Sequence, residues 1–122
     1  MAKPISPKVH GVLDYSTIAA TAAAPRLLRF PRNAAIAAYV LAGGYLVLSA
    51  LTKYPTAVKQ VVPLRAHRAT DVALGALLPA LPFLLGFRND ARARNFFLAL
   101  TGITGAVTAL TNWQPRGQAQ AA

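Results

Sequence analysis

The sequence predicts an all-α membrane protein with four transmembrane helices. They form two tandem two-helix repeats related by a pseudo-twofold axis along the membrane normal. Three observations predict this. The 122 residues are 55% hydrophobic and only 13% charged, more apolar surface than a soluble chain this short can bury. Thirteen Lys and Arg against three acidic residues give a formal charge of +10, and the basic residues sit in short clusters between apolar runs. Basic clusters of that kind flank membrane spans and meet anionic headgroups. The third observation is a pattern that occurs twice, 57 residues apart: His10-Gly11-Val12-Leu13-Asp14 and His67-Arg68-Ala69-Thr70-Asp71. An apolar run, a proline (Pro25, Pro82), a leucine pair (Leu27-Leu28, Leu84-Leu85) and a phenylalanine (Phe30, Phe87) follow at the same offset.

Each element has its own signals. Repeat one spans 5–54 and repeat two 62–113, within a single membrane domain of 1–122. Ser6-Pro7 is a helix start, because serine caps and proline is tolerated in the first turn. The first helix covers about 7–28. Ala22-Ala23-Ala24 imitates a signal-peptidase site, but Asp14 and His10 in or beside the apolar region favour a retained helix. His10, Asp14, Thr17 and Thr21 share one helical face, with Tyr15 beside Asp14. Such a stripe belongs against protein rather than lipid.

Arg26, Arg29 and Arg32 make a basic turn. A second helix over about 33–52 is long enough to cross a core of roughly 30 Å. Gly43 and Gly44 at its centre are expected to admit a neighbouring helix. A third helix over about 64–86 carries Pro79 and Pro82, which predict a kink. Arg88, Arg92 and Arg94 form the second basic turn before a fourth helix over about 95–111. There Gly102 and Gly105 are assigned to packing, and Thr101, Thr104, Thr108 and Thr111 to bonds with carbonyls one turn back. The helix ends Leu51-Thr52-Lys53-Tyr54 and Leu110-Thr111-Asn112-Trp113 correspond at an offset of 59. That places Tyr54 and Trp113 as anchors at one lipid interface. The termini share a side with seven Lys and Arg, against six opposite. Orientation is therefore close to balanced, leaning to cytoplasmic termini.

Units of this kind resemble the bacterial SPW-repeat membrane proteins. The resemblance rests on Val9-His10-Gly11-Val12-Leu13-Asp14-Tyr15 followed by Ala24-Pro25-Arg26-Leu27-Leu28-Arg29-Phe30. It continues in His67, Asp71 and Leu81-Pro82-Phe83-Leu84-Leu85-Gly86-Phe87. In that family a Ser-Pro-Trp triplet ends the first helix of each unit, whereas here the triplets are Ala24-Pro25-Arg26 and Leu81-Pro82-Phe83. Only the prolines match. The resemblance implies a four-helix, multi-pass protein of the bacterial inner membrane and brings no settled activity.

Functionally, the absence of cysteine excludes disulfides and thiolate chemistry. No nucleophile grouping or phosphate loop accompanies the repeated motif, so an enzyme is not expected. A nucleic-acid partner is not expected either, since the positive charge lies between apolar runs. The candidate site is His10, Asp14, His67 and Asp71 with Tyr15, Thr17 and Thr21. The first reading is a structural clasp in an accessory or oligomerising subunit of a membrane assembly. Its partners would be a bilayer with anionic headgroups and either further copies of the chain or a larger complex. The alternatives are a small transporter or proton path along the polar stripe, and a membrane carrier of a divalent metal held by His10, Asp14, His67 and Asp71 or of a haem held by His10 and His67.

Overall fold

In the computed structural model, which describes residues 3–114, every extended element is helical. Helix α1 is Pro7–Leu27 and α2 is Arg32–Leu51. Helix α3, Leu64–Leu77, runs into a 3₁₀ turn, Leu78–Ala80, and the short α4, Leu81–Leu84. Helix α5 is Ala91–Leu110. The third segment is thus broken at Pro79 and Pro82, where the missing N–H groups interrupt the ladder. The last helix starts four residues earlier than the sequence suggests, because the Asp90 carboxylate accepts from Ala93 N at 2.9 Å. Arg92 and Arg94 consequently lie inside α5, and Arg94 donates to the Arg88 carbonyl. The first helix begins as expected, with Ser6 Oγ accepting from Val9 N.

The two turns have one construction. Leu28 N and Phe30 N donate to Ala24 O and Pro25 O, while Leu85 N and Phe87 N donate to Leu81 O and Pro82 O. Arg29 and Gly86 sit at the left-handed position, with φ of 52° and 77°. Left-handed residues of this kind close helix C-termini. At the opposite end, Ile5 pairs in parallel with Thr111, and Val62 with Thr52. Ile5 N bonds Leu110 O and Asn112 N bonds Ile5 O, just as Val62 N bonds Leu51 O and Lys53 N bonds Val62 O. Each first helix is therefore tied to the end of a second helix by the same two bonds.

Helix α1 packs chiefly on α2, α3 on α5, and α1 also touches α5. One apolar cluster near the turns gathers Ala34, Ala38, Leu78, Phe87, Ala93, Phe97 and Leu100, with Phe30 against it. The inward stripe of α2 is alanine: Ala34, Ala38 and Ala42 are buried. The glycines assigned to packing are a correction. Gly43, Gly44, Gly102 and Gly105 are exposed, and a Cβ at any of them would meet nothing within 4 Å among the described residues. Spacing placed these glycines on one face of each helix, but that face points outward. The close approach occurs instead at Gly11, where a Cβ would lie 1.8 Å from Thr56 Oγ1.

A shared histidine–aspartate centre

The two repeated motifs meet. At the end of the bundle that carries the chain start, α1 contributes His10 and Asp14, and α3 contributes His67 and Asp71. Each pair shares a face because its members are four residues apart. His10 Nε2 lies 3.3 Å from both Asp14 Oδ2 and Asp71 Oδ2. His67 Nε2 lies 3.0 Å from Asp14 Oδ2 and 3.4 Å from Asp71 Oδ2. Every carboxylate therefore faces both imidazoles, and the cross-pair contact to Asp14 is the shortest. His10 and His67 are 1% and 0% exposed, so water is not a substitute partner. Among the described residues, neither Nε2 is aligned with an oxygen well enough for a hydrogen bond. Both point between the carboxylates.

The far side of each ring fixes its proton. His67 Nδ1 is 2.7 Å from Thr52 Oγ1, and His10 Nδ1 is 2.7 Å from Thr111 Oγ1. Each hydroxyl already donates its one proton to the carbonyl a turn back, Thr52 to Leu48 O and Thr111 to Val107 O. With the hydroxyl proton on that carbonyl the threonine accepts, which assigns the ring proton to Nδ1 in both histidines. The Nε2 atoms are left to serve the centre. Thr52 ends α2 in the first half and Thr111 ends α5 in the second, so each histidine is oriented from the other half: His10 by Thr111, His67 by Thr52.

Hydroxyl donors complete the carboxylates unequally. Asp14 Oδ2 accepts from Tyr54 OH at 3.2 Å and Ser49 Oγ at 3.5 Å, while Asp71 Oδ1 accepts from Tyr45 OH. Burial holds the Tyr54 phenol well above the usual tyrosine range, which keeps it protonated and donating. Tyr54 and Trp113 correct a second expectation. They are 1% and 9% exposed and roof the centre instead of anchoring at a lipid interface. The Trp113 ring lies 4.8 Å from that of His10, and the Tyr54 ring 5.5 Å from that of His67. Trp113 Nε1 donates to Thr108 O.

Among the remaining expected residues, Tyr15 donates to Thr56 O and pins the long connection to α1. Thr21 is buried and donates to Thr17 O. Thr101 and Thr111 make the expected bonds one turn back, whereas the buried Thr108 Oγ1 has no partner among the described residues. Arg26, Arg29, Arg32, Arg88 and Arg92 are exposed around the turns, with Arg94 half-buried. Below the centre, a cavity of about 50 Å3 is lined by Asp14, Thr17, Thr21, Tyr45, Asp71 and Thr108 among others. The imidazole rings are 5.3 Å apart and nearly perpendicular, with carboxylate oxygens against both Nε2 atoms. That geometry leaves no slot for a haem plane between the histidines.

Sequence reasoning missed Tyr45, Ser49, Thr52 and Thr111. The last two stood in the repeated helix ends, and their matching offset was the available signal. No protein-family model matches the chain, and no curated protein or solved structure matches it either.

Proposed function

We propose that this chain is an integral membrane protein of four spanning segments in two equivalent halves, serving as a structural or oligomerising subunit of a membrane assembly. In this reading the His/Asp centre is the clasp that holds the halves in register. The observation that carries it is the set of large apolar side chains left on the outside of a bundle that buries polar groups beside its apolar cluster. The buried set includes His10, Thr21, Ser49, Thr52, His67, Asp71 and Thr111, and its aliphatic part on α2 is alanine. The exposed set includes Ile36, Val40, Val47, Val72, Leu84 and Ile103. Large apolar residues outside and polar residues inside suit a lipid solvent. Two helices, Arg32–Leu51 and Ala91–Leu110, are long and apolar enough to cross a membrane. Helix α1 and the broken 64–84 segment would cross beside them, carrying their polar faces inward. The resemblance to SPW-repeat proteins and a bacterial inner-membrane location belong to the same proposal, and so does descent of the halves by duplication.

Membrane fractionation with an alkaline wash, combined with reporter fusions at both ends, tests the reading. Retention in the pellet and both termini on one face are expected. Release by the wash, or termini on opposite faces, overturns it. A second reading, a proton or small-solute path, is favoured by the cavity that continues from the two carboxylates, with room for a few waters. It requires flux in liposomes that Asp71→Asn abolishes, and absence of flux from the intact protein removes it.

A further inference from the structure

We propose that the centre is a binding site for one divalent transition-metal cation of the zinc class, ligated by His10 Nε2, His67 Nε2 and Asp14 Oδ2, with Asp71 as the neighbouring carboxylate that balances its charge. The proposal goes beyond the clasp reading and does not depend on it. Its first support is the pair of buried imidazole nitrogens aimed into the cluster without a hydrogen-bond partner. With the ring proton on Nδ1, each Nε2 turns a lone pair towards two carboxylates, an unfavourable arrangement that a proton or a cation between them relieves.

Spacing is the second support. Ligand atoms of His10, Asp14 and His67 all lie within 4.8 Å of one another. The four nitrogen–oxygen separations are 3.0–3.4 Å. Neighbouring ligands about 2.05 Å from one small cation are separated by about 2.9 Å at a right angle and about 3.3 Å at the tetrahedral angle. Third, the outer contacts are those of a metal site. Metal-bound imidazoles donate their other ring N–H to a fixed acceptor, and ligating carboxylates are themselves hydrogen-bonded. Thr52 and Thr111 supply the first, while Tyr45, Tyr54 and Ser49 supply the second. Charge agrees as well. One divalent cation and two carboxylates sum to zero, which a buried site requires. Imidazole and carboxylate together suit zinc, with iron(II) and manganese(II) next.

The test uses full-length, tag-free protein in detergent, stripped with chelator, loaded with Zn2+ and desalted. About one zinc per chain by elemental mass spectrometry is expected, with thermal unfolding shifted upward by the metal. The His10→Asn/His67→Asn protein should retain none. Thr52→Val and Thr111→Val should each weaken binding about 10- to 100-fold, as loss of an outer partner does. Asp90→Asn, which alters only a helix cap at the far turn, should bind like wild type. Folded wild-type protein that retains no zinc, whatever the variants do, overturns the proposal and leaves the clasp standing. Equal zinc retention by the double histidine variant overturns it too.

Discussion

Removing the hydroxyl that orients each histidine is the sharpest perturbation of the centre. Valine replaces threonine with almost no change in volume, so Thr111→Val and Thr52→Val leave no cavity. What each removes is the acceptor 2.7 Å from a fully buried ring nitrogen. A buried donor without a partner costs about 1–3 kcal/mol. The carbonyls of Leu48 and Val107 each lose a hydroxyl donor as well, and at Leu48 the backbone does not replace it, because Thr52 N is bonded to Ser49 O. Each valine variant should therefore be about 1–3 kcal/mol less stable, and the two should agree closely because the two contacts match. The serine variants keep the hydroxyl and should lose only the contribution of one buried methyl, about 1 kcal/mol. The single tryptophan packs against both imidazoles, so its fluorescence reports on the centre while far-ultraviolet dichroism reports on the helices. A cycle of His10→Ala with Thr111→Val should return a coupling of the same size. Valine variants as stable as wild type, or serine variants as damaged as valine, would refute the assignment of Nδ1 as donor.

Packing supplies the other predictions. Gly11→Ala should be strongly destabilising because its Cβ would meet Thr56 Oγ1 at 1.8 Å, and Thr56→Ala in the same chain should restore much of the loss in a thermal melt. Ala38→Leu forces three extra carbons into a fully buried site facing the cluster of Leu78 and Phe97 and should cost about 1–3 kcal/mol or more. Gly43→Ala on the same helix faces open space and should stabilise the folded chain by about 0.5–1 kcal/mol through helix propensity. Gly86→Ala should cost about 1 kcal/mol, since its φ of 77° lies in the left-handed region.

What the sequence made legible was whatever repeats along the chain. The matching offsets of His10 with His67 and Asp14 with Asp71 marked the centre. The proline, leucine and phenylalanine run marked two turns that share the same hydrogen bonds. Ser6 marked a helix start, and Pro79 with Pro82 marked a break. Hidden were properties that depend on how each helix is rotated and what lies across from it. Spacing places Gly43 and Gly102 on a helix face, but only packing decides whether that face is turned inward, and alanines took the inner one. An aromatic residue at the end of an apolar helix suits a lipid interface by composition alone. Tyr54 and Trp113 are instead folded over two imidazoles, a position set by tertiary contacts. Thr52 and Thr111 read as ordinary helix-end threonines because their histidine partners lie 15 and 101 residues away in the chain.

The central claim is that the two motifs form one centre and not two separate i,i+4 pairs. Solid-state NMR dephasing between 15N-labelled histidine and carboxyl-13C aspartate addresses it directly, because the chain has only two histidines. Both Nε2 resonances should dephase as nuclei close to two carboxyl carbons, one from each motif. Dephasing of each nitrogen by a single carbon, that of the aspartate four residues along its own helix, would contradict the shared centre.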